Sequence, residues 1–129
     1  KPIWHQDGAF LGEGVRSVNV WLTLTDCGGG ASVPGLDVVP RRIDTILDTG
    51  TRGSTFKDSI GHDLVAEVAT TGGTPITRPE FAAGDALIFD ERFVHRTATD
   101  PGMTGNRYAI ESWFFSPSRF PPSYAPLLF

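Results

Sequence analysis

The chain has 129 residues, of which 40% are hydrophobic and 20% are charged, and its formal net charge at pH 7 is −4. This composition argues against a disordered chain, and the acidic balance argues against a broad basic surface for nucleic acid. With Cys27 as the only cysteine and no apolar run long enough to cross a bilayer, we expect a cytoplasmic protein without an intrachain disulfide, forming one domain over residues 1–129.

The first clear element is a β-strand at residues 17–25. Its aliphatic residues, such as Val18 and Val20, alternate with residues such as Asn19 and Trp21, which is the two-residue period of a strand with two different faces. One face is expected to pack and the other to line a cavity. Residues 26–30, an aspartate followed by a cysteine and three glycines, are expected to form a turn.

The middle of the chain is harder to assign. Residues 38–40 are short and apolar and end in Pro40, which predicts a strand end or a sheet edge. Residues 48–73 are rich in Thr, Gly, Ser and Asp and are expected to be mostly loop, with a strand or short helix only at residues 64–68. His62, which lies between Gly61 and Asp63, is expected to be a loop residue.

The remainder of the chain again predicts short strands separated by turns. We expect strands at residues 86–89, 93–95 and 107–116, turns at residues 83–85 and 100–106, and an extended proline-rich tail at residues 117–129. No segment repeats the apolar spacing of a long helix. The pattern therefore predicts an all-β sandwich or barrel of the jelly-roll type, with few helices.

Three residues have the chemistry of a metal site. His5 and Asp7 are two positions apart, so in an extended backbone they project from one face and can reach the same ion. His95, on a distant predicted strand, would complete a set of two histidines and one carboxylate, which leaves positions open on Fe(II). Taken alone, the spacing of His5 and Asp7 also fits an exposed histidine beside a turn aspartate.

Four other residues are candidates for binding a keto-acid cosubstrate. Arg107 opens the strand after His95, so a hairpin could bring its guanidinium near the metal to pair with the distal carboxylate of 2-oxoglutarate; an arginine in this position can equally be a solvated surface residue. Thr97 shares the face of His95, while Asn19 and Trp21 share one face of the first strand and could contact the cosubstrate or substrate. Glu111, which follows the alternation of Arg107, is expected to pair with an arginine.

Six ordered segments resemble the phytanoyl-CoA dioxygenase family. They are His5-Gln6-Asp7-Gly8, Val18-Asn19-Val20-Trp21-Leu22-Thr23-Leu24, Val38-Val39-Pro40, Gly84-Asp85-Ala86-Leu87-Ile88-Phe89-Asp90, Val94-His95-Arg96-Thr97 and Asn106-Arg107-Tyr108. The resemblance implies a cupin-like double-stranded β-helix, Fe(II) held by His5, Asp7 and His95, and 2-oxoglutarate anchored by Arg107. It also implies that, with O2, a small organic or lipid-like substrate is hydroxylated while 2-oxoglutarate is converted to succinate and CO2.

The resemblance carries two further expectations. Because Asp7 supplies the carboxylate that some halogenating relatives lack, hydroxylation is favoured over halogenation. Relatives also carry an amino-terminal segment before the histidine-any-aspartate motif, which we expect to be missing or very short here.

Two alternatives stay open at this point. The chain could be a degenerate or truncated jelly-roll that binds metal or a ligand without turnover. A cupin-type metal enzyme with another mechanism is disfavoured, because its motif usually has a second histidine where Asp7 stands.

Overall fold

The computed structural model describes residues 2–123, within which the chain forms seven strands and two short helices. The elements in chain order are α1 (Gly8–Leu11), β1 (Ser17–Thr23), β2 (Cys27–Gly28), β3 (Leu36–Val38), α2 (His62–Thr71), β4 (Glu80–Phe81), β5 (Ala86–Asp90), β6 (His95–Thr97) and β7 (Ala109–Phe115). The predicted all-β class with few helices is confirmed. Of the predicted extended tail, residues 117–123 form turns and bends instead, and residues 124–129 lie outside the described residues.

The largest sheet has three antiparallel strands in the order β5-β1-β7, with β1 in the centre. Its register places Asn19 of β1 opposite Phe89 of β5 and opposite Trp113 of β7. Alternate residues of a strand point to opposite faces, so these three side chains lie on the same face of the sheet.

A second layer is built from shorter pairings. β3 pairs with β6, and single antiparallel bridges extend this pair on both sides, from Val38 to Thr77 and from His95 to His5. β2 pairs with β4, so the predicted turn at residues 26–30 contains the two-residue strand β2. The two layers pack through one buried cluster, which consists of Trp21, Cys27, Leu36, Val38, Phe81 and Phe89.

The two faces of β1 differ from the expectation. The residues at 17, 19, 21 and 23 are buried, whereas the aliphatic residues point outward and Val18 is 44% exposed. On the neighbouring strands Ile88 is 66% exposed and Phe114 is 62% exposed. The residues that pack in the core and the residues that were expected to line a cavity therefore lie on the same, buried face of the sheet. The aliphatic face is the exposed one.

Residues 62–71 form a helix in a region that was expected to be mainly loop. Val65 and Ala69 are four positions apart, so they lie on one helix face, and both are buried against Trp4, Val39, Ile43, Ile60 and Val94. His62 is the exposed first residue of this helix and not a loop residue, so that prediction is wrong. The apolar face covers only two turns among threonines and glycines, which explains why the sequence signal was weak. Within residues 2–123 no helix has both the length and the apolar character to cross a membrane.

Candidate metal centre

The structure brings the side chains of His5, Asp7 and His95 together. The Asp7 Oδ1 atom lies 3.7 Å from His5 Nε2 and 3.8 Å from His95 Nε2. All three residues offer a ligand atom within 4.8 Å of the other two. The bridge between His5 and His95, on which each backbone N–H donates to the other residue's carbonyl, holds the two imidazoles side by side.

Asp7 reaches the cluster through a turn and not through extended backbone. His5 lies on the bridge, but Asp7 has φ −57° and ψ −35° and begins helix α1. His5 and Asp7 converge as expected, but the extended backbone predicted at Asp7 is wrong, and a helical turn brings its carboxylate to the cluster. Gly8 allows this turn to pack tightly: its N–H donates to the Glu91 carbonyl at 2.8 Å, and a Cβ placed there would lie 2.7 Å from Ile46 Cδ1.

Gln6, between the two motif residues, anchors this segment and was missed by the sequence analysis. Its side chain is fully buried. The amide nitrogen donates to the carbonyls of Thr45 at 3.0 Å and Arg92 at 2.6 Å, and the amide oxygen accepts from Leu47 N–H at 2.7 Å. Three of the four hydrogen-bonding positions of this side-chain amide are therefore used, and they hold two loops against the segment that contains His5 and Asp7.

Backbone carbonyls fix the orientation of both imidazoles. Nδ1 lies 2.9 Å from the Ile3 carbonyl in His5 and 3.0 Å from the Phe93 carbonyl in His95. Because a carbonyl oxygen only accepts, each Nδ1 carries a hydrogen, and each Nε2 faces the Asp7 carboxylate. Burial, with a further contribution from the neighbouring His5, lowers the pKa of His95 from 6.5 to about 4. His95 is therefore neutral near pH 7, which is the state in which imidazole binds a metal.

The two oxygens of Asp7 have different surroundings. Oδ2 accepts from Asn19 Nδ2 at 2.9 Å and from Trp113 Nε1 at 3.0 Å. Oδ1 is buried and has no hydrogen-bond partner among the described residues. A buried carboxylate oxygen without a partner is costly, and a cation between Oδ1 and the two Nε2 atoms would remove that cost. The donor set therefore fits a metal ion.

Trp113 and Glu111 on β7 are part of this arrangement. No role was predicted for Trp113. The only sequence feature that pointed to it was the alternation that Trp113 shares with Arg107. Glu111 Oε1 accepts from Asn19 Nδ2 at 2.7 Å, and no described arginine lies within ion-pair distance of it. The expected pairing of Glu111 with an arginine is not formed as a direct contact, although the carboxylate does act electrostatically on Arg107.

Arg107, Thr97 and Trp21 form a second group beside the cluster. Arg107 is half-buried, donates to the Gly35 carbonyl at 2.8 Å and to Thr97 Oγ1 at 3.2 Å, and lies over the Trp21 ring at 5.5 Å from its centroid. Burial lowers the pKa of Arg107 below its ordinary value. Within residues 2–123 no carboxylate lies within ion-pair distance of this guanidinium, so its charge is free to bind an anion.

The register places this arginine group next to the histidine and aspartate cluster. Thr97 follows His95 by two residues on β6, and Trp21 follows Asn19 by two residues on β1. Two residues of a strand span about 7 Å, and residues two apart share a face. A small dicarboxylic acid could therefore contact the metal cluster with one end and Arg107 with the other.

No protein-family model matches the chain, and no curated protein matches it. Three solved structures are similar in fold. EvdO2 from Micromonospora carbonacea var. aurantiaca, in complex with 2-oxoglutarate, aligns with a TM-score of 0.64 and 21% identity over 90% of this chain and 46% of its own. AviO1 from Streptomyces viridochromogenes Tue57 aligns with a TM-score of 0.57 and 24% identity over 93% of this chain and 46% of its own. EvdMO1 aligns with a TM-score of 0.50 and 22% identity over 90% of this chain and 23% of its own.

These alignments establish the fold. The chain has a small, β-rich, cupin-like fold of the double-stranded β-helix type, as the family resemblance implied, and the neighbour EvdO2 was solved in complex with 2-oxoglutarate. The chain spans less than half the length of EvdO2 and of AviO1. The narrower resemblance to the phytanoyl-CoA dioxygenase family stays a prediction.

Proposed function

We propose that the chain is the core of a non-haem Fe(II)/2-oxoglutarate-dependent dioxygenase that hydroxylates a small organic or lipid-like substrate. The observation that carries this proposal is the convergence of His5, Asp7 and His95 around an unpaired, buried carboxylate oxygen. Two imidazoles and one carboxylate on one side of an ion are typical of oxygenases that use Fe(II). We also propose that residues 1–129 form a single domain.

In this proposal the protein supplies the ligands and the surroundings of the iron. His5 Nε2, His95 Nε2 and Asp7 Oδ1 would hold Fe(II), and the remaining positions would take 2-oxoglutarate and O2. With these bound, the iron would supply the oxidative decarboxylation of 2-oxoglutarate to succinate and CO2, in which one oxygen atom of O2 enters the succinate and the other is inserted into a substrate C–H bond. The Phe89 and Phe93 rings, whose centroids lie 4.7 and 6.3 Å from that of His95, hold this imidazole in place and keep water from one side of the site.

Arg107 would bind the distal carboxylate of 2-oxoglutarate. Its guanidinium is already oriented by Thr97, Gly35 and the Trp21 ring, so little conformational freedom is lost when an anion binds. Thr97 Oγ1 and Trp21 would line the same end of the cosubstrate site. Asn19, in contrast, uses both amide hydrogens on Asp7 and Glu111, so we assign it to the metal end of the site.

The first test is anaerobic addition of Fe(II) and then 2-oxoglutarate. Chelation of the iron by the keto acid is expected to produce a metal-to-ligand charge-transfer absorption, and later addition of O2 is expected to yield succinate. Arg107→Ala is expected to retain iron and to weaken 2-oxoglutarate binding by about 30- to 150-fold, because it removes a charge-assisted bidentate contact of about 2 to 3 kcal/mol. Arg42→Ala removes an exposed arginine that pairs with Asp90 at 3.1 Å and is the matched control.

The outcomes separate the proposed enzyme from a binding protein. Absorption followed by succinate supports the dioxygenase. Absorption without succinate in the presence of O2 supports the alternative, a jelly-roll that binds metal and ligand without turnover. Equal 2-oxoglutarate affinity in the Arg107→Ala and Arg42→Ala variants would remove the role assigned to Arg107.

A further inference from the structure

The Asp7 carboxylate is held in one orientation by two side chains of the three-stranded sheet. Asn19 of β1 and Trp113 of β7 are direct cross-strand neighbours, and both donate to the same oxygen, Oδ2. A partial rotation of the carboxylate about its own axis would break both hydrogen bonds, and a half-turn would only exchange two equivalent oxygens. The other oxygen, Oδ1, is therefore kept facing the two histidines.

A second carboxylate fixes the orientation of Asn19. The Asn19 side chain is fully buried, and its Nδ2 atom lies 2.9 Å from Asp7 Oδ2 and 2.7 Å from Glu111 Oε1. Both neighbours are carboxylate oxygens, which only accept hydrogen bonds in the ionised form, so the NH2 group of the amide must face them. Glu111 itself is exposed, and the hydrogen bond that it accepts from Asn19 connects it to Asp7.

We propose that Asn19 and Trp113 are positioning residues that restrict Asp7 to one metal-binding oxygen, and that Glu111 holds Asn19 in place for this purpose. This inference rests on the proposed metal site. A carboxylate that binds with both oxygens occupies two positions on an ion, whereas one whose second oxygen is engaged in hydrogen bonds occupies a single position. The hydrogen bonds to Oδ2 thus preserve the open positions that a keto acid and O2 require.

The test measures Co(II) affinity and melting temperature separately. Trp113→Phe removes the indole N–H that donates to Asp7 and is expected to weaken Co(II) binding by about 10- to 100-fold, the usual effect of losing a hydrogen bond to a metal ligand. Trp4→Phe is the matched control, because the buried Trp4 N–H has no hydrogen-bond partner among the described residues. It is expected to lower the melting temperature of the metal-free protein while leaving Co(II) affinity within about twofold of the original.

Glu111 provides a second pair of variants, at an exposed position. Glu111→Ala removes the acceptor for Asn19 and is expected to weaken Co(II) binding, whereas Glu111→Gln keeps a carbonyl acceptor and is expected to restore most of the affinity. The visible spectrum of bound Co(II) is expected to change in Trp113→Phe, because it reports the number of ligand atoms on the ion.

Each result supports or overturns a particular claim. If Trp113→Phe and Trp4→Phe have the same Co(II) affinity, or if Glu111→Ala and Glu111→Gln do not differ, the positioning role is wrong while the metal site stands. If the unmodified protein binds Co(II) no better than Asp7→Ala does, the proposed function fails and this inference fails with it. Weakened affinity in Trp113→Phe and Glu111→Ala, with tight binding in both control variants, supports the inference.

Discussion

Replacing Gln6 should destabilise the protein even though no atom of this side chain faces the candidate ion. In Gln6→Met the packing volume is nearly kept, but the carbonyls of Thr45 and Arg92 and the N–H of Leu47 lose their partner. A buried polar group left unsatisfied costs about 1 to 3 kcal/mol. Thr45 is exposed and can bind water instead, so we expect a total loss of roughly 2 to 4 kcal/mol.

Urea unfolding of the metal-free protein measures this loss, and Lys57→Met, at an exposed lysine, is the control. A domain of this kind has about 5 to 15 kcal/mol of stability, so the shift in midpoint should be large while the slope stays unchanged. Because Gln6 lies between His5 and Asp7, metal affinity should fall as well. A Gln6→Met midpoint equal to that of Lys57→Met would refute the view that this amide holds the motif in place.

Three further substitutions test other parts of the structure. Asp37 is buried, which by itself raises its pKa, but hydrogen bonds from Arg78 and Arg96 outweigh burial and hold the pKa below the ordinary 3.8. The stability that this carboxylate contributes is therefore complete above about pH 3.8 and is lost as the pH falls further, through its folded-state pKa. Asp37→Asn should cost roughly 2 to 3 kcal/mol at pH 7 and less at pH 2, as measured by urea unfolding; an equal cost at both pH values would contradict this assignment. Gly8→Ala should destabilise the protein by about 1 to 3 kcal/mol and weaken metal binding, because the added Cβ would lie 3.0 Å from the Glu91 carbonyl oxygen. Calorimetry measures the first effect and a metal titration the second. An unchanged melting temperature would show that the turn has more room than the structure indicates. Phe89→Ala should cost about 3 to 5 kcal/mol while Ile88→Ala, at the next position on the same strand, should stay within about 0.5 kcal/mol; the reverse order would mean that the outer face of the sheet is the buried one.

The sequence pattern was sufficient to predict strands but not to decide which of their faces is buried. The alternation in β1 is real, yet Asn19 and Thr23 are on the buried face and Val18 is exposed. The NH2 group of the buried Asn19 is satisfied by Asp7 and Glu111, and these partners come from positions 12 residues before it and 92 residues after it. Such pairing depends on the tertiary structure and leaves no local signal in the sequence.

The sequence was sufficient to predict that His5, Asp7 and His95 lie together, while their roles as metal ligands and the role of Arg107 stay proposals. The spacing of His5 and Asp7, together with the resemblance to the phytanoyl-CoA dioxygenase family, predicted that His95 and Arg107 belong to the same site. The supporting contacts of Gln6 and Trp113 could not be predicted, because they depend on which loops reach the motif and on the register between β1 and β7. Periodicity alone does not define that register.

The most direct test of this account is equilibrium dialysis with Fe(II) under anaerobic conditions. The intact protein should bind one ion per chain. His95→Ala should weaken binding by more than about 100-fold, since it removes a ligand atom and not merely a supporting contact. His62→Ala, at an exposed histidine on helix α2, should bind as tightly as the intact protein. Equal iron affinity in the His95→Ala and His62→Ala variants would contradict the metal site on which the proposed function rests.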